Sequence, residues 1–389
     1  MGLIDWLYGL LIPDEANAAK PIPAQRNTAS GGSVAVLDVP RDQGPDDAEA
    51  TPVEPMWWAP DGVELTEALE PTRPDLATEA RAIENTLVSH FDGHDLSMPP
   101  LPSVTERVLR RIRDGKSSLA QVADDIADDQ VIAAEVIRMS NSVLYRGLNK
   151  TTSLQAAVTR LGAKAIRTTM LNQSMRAAMF SKKGSDNELS ALIWYQSLAG
   201  SCVVRGLAKQ LKMDEDEASL VGLMHDIGSV IVLRFVEEHE KASQTLLDVP
   251  NFDYLCFEAH QEFGELVAEA WKLPDNLKAL ASSHHLYPTE DDPLRRERLM
   301  VILSDMICAM LGYAPPASYQ LMESRVVADL GLKNQPGFET FLTNLPDEVE
   351  DALLSFGAVP GSPVVEEGDN APSGVLPGWL RQIRAVRAQ

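Results

Sequence analysis

Residues 103–140 read SVTERVLRRIRDGKSSLAQVADDIADDQVIAAEVIRMS, and this run decides the fold class. Ser103 is followed three residues later by Glu106, the spacing of a capping box. Behind it Val104, Val108, Leu109 and Ile112 make one apolar helical face. Ser118 and Gln121 repeat the device ahead of Leu119, Val122 and Ile126. Asp129 is placed to cap a third helix, which carries Ile132, Val136, Ile137 and Met139. No alternating run bounded by turns interrupts them, so strand signals are absent.

Working outward, Ser153 can cap a helix with Leu154, Val158 and Leu161 inward and Gly162 as its stop. Two long helical patterns follow, at about 163–181 and 190–212. Beyond the break at YAPPAS (313–318), residues 319–331 and 337–357 read as two further helices. On the other side, 65–92 reads as an acidic amphipathic helix. The expected architecture is all-α.

Both ends differ in kind. Residues 14–60 are rich in Pro, Ala, Asp, Gly and Ser, and cannot bury enough apolar surface to offset chain entropy. They are expected to form a disordered leader. Residues 1–12 are apolar, with no Lys or Arg before Lys20 and no basic n-region of a signal peptide. Peripheral membrane or partner contact through this segment is one expectation, and a frayed terminus the other. Past a linker at 357–374, Trp379, Leu380, Ile383 and Val386 share one helical face, with Arg381, Arg384 and Arg387 on another. That short basic helix reads as a partner-binding peptide or as a helix docked on its own domain.

The 389 residues carry 34 Lys plus Arg against 57 Asp plus Glu, a net charge of -23. The charge is uneven: residues 1–95 are net -13, 96–183 are net +7, and the rest carry -17. Nucleic acid is therefore not an expected partner, since phosphates need clustered cations. The basic run Arg107, Arg110, Arg111, Arg113 and Lys116 lacks interleaved aromatics and reads as a solvated helix face. Three scattered cysteines, Cys202, Cys256 and Cys308, form neither a disulfide framework nor a CxxC site. They fit a reduced, cytoplasmic protein. No stretch reaches the ~18–20 apolar residues of a spanning helix, so no transmembrane segment is expected.

Five of seven histidines fall between 225 and 285: His225, His239, His260, His284 and His285. His225 is followed by Asp226 at the end of an apolar helix in GLMHDIGSV, where Gly228 permits a tight turn. Asp305 lies on a later apolar helix. Imidazole and carboxylate together suit Mn, Fe, Co or Mg, and a bound ion would activate water for phosphoester hydrolysis. A hydrogen-bonded core network is the competing reading. His239, in VEEHEK, reads as solvated, and His90 and His94 have no partners by spacing. No phosphate-binding Gly-rich loop and no GxSxG elbow is present.

Residues 98–147, MPPLPSVTERVLRRIRDGKSSLAQVADDIADDQVIAAEVIRMSNSVLYRG, resemble the opening of the HDOD (HD-related output) domain. TTSLQAAVTRLGAKAIRTTML (151–171), WYQSLAG (194–200), GLMHDIGSV (222–230), EAHQEFGELVAEAWKLP (258–274) and SSHH (282–285) continue the likeness over about 96–310. The resemblance implies an N-terminal helical lobe packed on an HD-like helical bundle, and a place in bacterial signal transduction. It also implies kinship with the HD-GYP cyclic-di-GMP phosphodiesterases.

Carried over, the resemblance matches His225 and Asp226 to the defining pair and His260, His284 and His285 to later ligands. Asp305 matches the last acidic position. Gln196 stands where active HD enzymes have a first His ligand, and Ser229 where the phosphodiesterases have a Lys. The division it suggests is 1–60 apolar segment and tether, 61–95 acidic lead-in, 96–310 HDOD domain, 311–358 C-terminal helices, and 359–389 linker and tail. The expected function is a non-catalytic regulatory module that docks a signalling protein or a nucleotide second messenger. The alternative is a metal-dependent phosphohydrolase acting on a nucleotide or cyclic dinucleotide. No resident cofactor is expected under the first reading, and a divalent ion (Mn, Fe or Mg) under the second.

Overall fold

Local signals dominate the first lobe. In a computed structural model, residues 78–93, 99–142, 144–180, 188–315 and 317–355 are described. They all fall in the second of the chain's two units, Met56–Gln389. Every regular element among them is helical. α1 is Thr78–Gly93, α2 Ser103–Asp114, α3 Leu119–Ala127 and α4 Gln130–Ser140. Ser118 closes the expected capping box with Gln121, and the Asp129 carboxylate accepts from Val131 and Ile132 N–H.

The Ser103 capping box does not form. The residue ahead of α2 is Pro102, whose carbonyl accepts from Glu106 N–H at 2.9 Å, and no side chain caps the end. Proline presets the entry, so Ser103 falls inside the first turn.

α5, Leu154–Met179, is two helices joined at Gly162, which has φ 71° and ψ 175°. The first half, capped by Ser153, packs in the lobe, and the second continues into the bundle. The bundle holds α6 Glu188–Gln210, α7 Glu215–Met224, α8 Ser229–Ser243, α9 Val249–Ala270, α10 Asp275–Ser283 and α11 Arg295–Leu311. The helix expected over 319–331 is instead a 3₁₀ turn, Leu321–Glu323, and α12, Arg325–Asp329. Ser324 is extended between them, and its hydroxyl caps α12. α13, Phe338–Ser355, packs on α6, where Phe341 covers Gly206. α1 packs on α8 and α9 through Ile83 and Leu87.

Charged contacts join lobe and bundle. Lys164 and Arg167 of α5 pair with Asp214 and Glu217 at the acidic start of α7. Tyr145 donates to Asp216 at 2.9 Å, and Arg205 pairs with Glu215 and Asp216. The Trp271 indole donates to Pro99 carbonyl at 2.7 Å and holds the Pro-Pro-Leu-Pro segment on the end of α9. The basic run of α2 is not simply solvated. Arg107 and Arg111 clamp the Asp125 carboxylate of α3, and Arg113 donates to Lys272 carbonyl.

Glu215–Ser243 is apolar and long enough to cross a membrane by length and composition. It breaks at the turn after Met224, however, and 89% of its apolar window is buried in the protein. The expected leader (1–60), residues 61–77 of the lead-in, and the tail with Trp379, Arg381, Arg384 and Arg387 lie outside the described residues.

Candidate functional site

Close helix packing builds the site. α7 ends at Met224, His225 and Asp226 follow, and the chain turns through Gly228 into α8. Gly228 has φ -63°, so left-handed freedom is not why glycine is needed. A Cβ there would lie 1.8 Å from His260 carbonyl oxygen and 2.5 Å from Gly264 N. The start of α8 therefore sits against the α9 backbone, which brings Asp226 to His260. Gly222 meets Gly200 in the same way, since a Cβ on Gly222 would lie 2.5 Å from Gly200 carbonyl oxygen. That contact draws α6, and with it Gln196, onto α7.

Asp226 is the hub. Its Oδ1 lies 3.3 Å from His260 Nε2 and 3.2 Å from His284 Nε2. Its Oδ2 lies 3.2 Å from His225 Nε2 and accepts from Gln196 Nε2–H at 2.8 Å. Asp305 Oδ1 of α11 is 3.2 Å from His225 Nε2. His285 flanks His284 and stacks on Phe257, with ring centroids 4.8 Å apart. Ser229 is buried beside the Cys256 thiol.

Three imidazoles are oriented alike. His225 Nδ1 faces Gly222 carbonyl at 3.0 Å, His260 Nδ1 faces Cys256 carbonyl at 2.7 Å, and His284 Nδ1 faces Leu280 carbonyl at 3.0 Å. A carbonyl only accepts, so each Nδ1 carries the proton and donates. The Nε2 atoms then face one another and the carboxylate oxygens. His260 Nε2 and His284 Nε2 are 3.2 Å apart. Two buried acceptors that close repel unless a proton or a metal ion lies between them.

Electrostatics divide the set. Burial disfavours a charged His225, but the adjacent Asp226 and Asp305 carboxylates outweigh it and raise its pKa well above the usual histidine value. Burial pushes Asp226 up, yet His225 and the other imidazoles hold it well below the usual carboxylate range. Burial lowers the pKa of His284, and lowers that of His285 further still. Burial also pushes the Cys256 thiol well up, so it offers no ready thiolate.

The donor set fits a divalent metal. His225 Nε2 is buried and faces two carboxylate oxygens, Asp226 Oδ2 and Asp305 Oδ1, each at 3.2 Å. His260, His284 and His285 form one group with metal-ligand spacing, and His225, His284 and Asp305 another. His225, His260 and His284 would use Nε2 while a backbone carbonyl orients each ring at Nδ1. Such an ion would supply Lewis acidity and lower the pKa of a bound water.

Some side chains here carry no legible signal in the sequence. Arg298 is buried on α11, pairs with Asp292 and donates to Ser283 carbonyl, which fixes the end of α10 just before His284. Phe257 is legible in retrospect, because it precedes His260 by three residues on one helix face. His239 departs from expectation: it is half-buried on α8, and its Nε2 has no partner. The side chains of His90 and His94 lie outside the described residues.

The sequence profile of the HDOD domain family matches residues 98–287. The chain carries an HDOD domain. A curated relative, an uncharacterized protein of Treponema pallidum, is 21% identical over 74% of this chain. The chain spans only 55% of that relative's length. Among solved structures, one provisionally described as a metal-dependent phosphohydrolase from Shewanella amazonensis is 21% identical, covers 72% of this chain and all of its own, and has a TM-score of 0.60. An HDOD domain protein of unknown function from Geobacter sulfurreducens is 20% identical over 70% of this chain and 97% of its own, at TM-score 0.54. At these identities the structures show the HDOD fold alone.

Proposed function

We propose that this HDOD protein is a cytoplasmic, non-catalytic signalling module that docks a protein partner or a nucleotide second messenger. The observation that carries the reading is Gln196. Its amide donates to Asp226 from the position where active HD enzymes are expected to place a ligand. A carboxylate capped by an N–H donor is a poorer metal ligand, and hydrolysis needs the whole constellation in place. Ser229 supports the same reading, because a buried hydroxyl turned toward Cys256 offers no cation to a phosphate. The C-terminal tail, residues 377–389, and residues 1–12 are proposed as contact segments, for a partner or a membrane surface.

A specific observation favours a second reading, metal-dependent phosphohydrolysis: the Nε2 atoms of His225, His260 and His284 converge on Asp226. Under it, His225, Asp226, His260, His284, His285 and Asp305 hold the ion. The chain's own residues orient the imidazoles through backbone carbonyls and keep bulk water from Asp226.

The deciding experiment is an assay of purified protein for hydrolysis of cyclic and linear dinucleotides with added Mn or Fe. No turnover above the Asp226→Ala background is expected. Turnover that disappears in Asp226→Ala would overturn the docking reading.

A further inference from the structure

Asp226 divides the polar cluster into two unlike halves. On its Oδ1 side stand His260 and His284, at 3.3 and 3.2 Å, with His285 close enough to complete a three-imidazole group. On its Oδ2 side stand His225, Asp305 beyond it, and the amide of Gln196. The Gln196 assignment is chemically forced: a carboxylate accepts only, so the amide nitrogen faces Oδ2. An N–H donor pointed at that oxygen occupies the direction from which a cation would approach.

The Oδ1 side has the opposite character. His260 and His284 each commit Nδ1–H to a backbone carbonyl, leaving two Nε2 lone pairs 3.2 Å apart and both near Oδ1. Two nitrogen ligands about 2.0–2.1 Å from a tetrahedral ion stand roughly 3.3–3.4 Å apart. The observed spacing is the edge of such a tetrahedron.

We propose that this chain binds a single divalent ion in the half formed by His260, His284, His285 and Asp226 Oδ1, with Gln196 closing the other half. Three imidazoles and one carboxylate oxygen favour borderline ions such as Zn or Co over Mg, whose preference is for oxygen. The inference rests on the cluster as a cation site and not on either reading of catalysis. An ion held there serves a docking module as well as an enzyme.

His225 is the competing position, since its Nε2 is buried between Asp226 Oδ2 and Asp305 Oδ1 on the closed side. The test must therefore separate the halves. The full-length protein, stripped with chelator and dialysed, is titrated with Co by calorimetry and by visible absorption. One Co per chain is expected, with an absorption spectrum of nitrogen-rich coordination, and no Mg binding in the same range. His285→Ala, the least buried ligand change, should weaken Co at least about tenfold, because even outer-shell losses reach that scale. His225→Ala should weaken it less than His285→Ala, with far-UV dichroism confirming that both variants fold. Gln196→His should bring a second Co by replacing the closing donor with a ligand.

Two Co per wild-type chain, or one that is lost in His225→Ala and kept in His285→Ala, overturns the assignment. So does an unchanged stoichiometry in Gln196→His. Absence of Co binding overturns it as well, while leaving the docking reading intact. Turnover would remove the docking reading and leave this one untouched.

Discussion

Gly228 holds α8 and α9 at backbone contact, Gly264 lets α9 approach α10 at Ala281, and the site exists because of the first approach. A methyl group at 228 would sit 1.8 Å from His260 carbonyl oxygen, far inside van der Waals distance. Overpacking of this kind costs about 1–3 kcal/mol, and more where only backbone can yield. Gly228→Ala is therefore expected to lower the urea midpoint and to displace Asp226 from His260, so that any Co affinity falls with it. Normal stability would mean that α8 can shift without cost. Reading the sequence for this glycine locates it correctly and misassigns its reason. A tight turn is a local property, whereas the contact with α9 involves residues more than thirty positions away. The same distinction holds for Gln196 and Arg298. The His-Asp pair is legible from neighbours in sequence, but the bond from Gln196 to Asp226 and the grip of Arg298 on Ser283 carbonyl are set by packing alone.

At the scale of elements, the caps at Ser118, Asp129 and Ser153 are legible because each needs only three or four consecutive residues. The arginine face of α2 is not, because its partner Asp125 sits on the next helix. Arg111 holds that carboxyl below the usual range, chiefly by hydrogen bonding. A depressed folded pKa gives stability that is present above the unfolded value of 3.8 and is lost as pH falls through the folded pKa. Wild-type protein should thus lose stability on acidification below that value, and Asp125→Asn should flatten this part of the profile in chemical unfolding. Arg111→Ala should destabilise only modestly, because the pair is solvent-screened and Arg107 still faces the carboxylate. The break inside α5 offers a separate test. Gly162, at φ 71° and ψ 175°, occupies a region that side chains avoid. Gly162→Ala should destabilise by about 1–3 kcal/mol without altering the buried site. A stabilising effect would show that the two halves of α5 can straighten into one helix.

At the scale of the whole molecule, the family match ends at residue 287, but the packed core does not. α11 contributes Leu299, Met300, Val301, Ile302, Leu303 and Ile307, all at most 3% exposed, and it also carries Asp305 to His225. Burying one such side chain is worth about 1.5–3 kcal/mol, so six contribute on the order of 10 kcal/mol. A whole domain is typically stable by only about 5–15 kcal/mol. α13 adds Phe338, Leu342, Leu345 and Val349 against α6, and α1 adds Ile83 and Leu87 against α8 and α9. Residues 98–287 alone would therefore expose the faces of α6, α8 and α9 that these helices cover, and should be recovered as aggregate or as a species without a cooperative transition. Residues 78–355 should stay soluble and melt within about 2–4 °C of the full chain, the shift expected from roughly 1 kcal/mol in a domain of this size. Size-exclusion chromatography and thermal dichroism of the two fragments decide the matter. A soluble, cooperatively melting 98–287 would show that α1, α11 and α13 are accessories, and that the domain's stability resides within the matched family region.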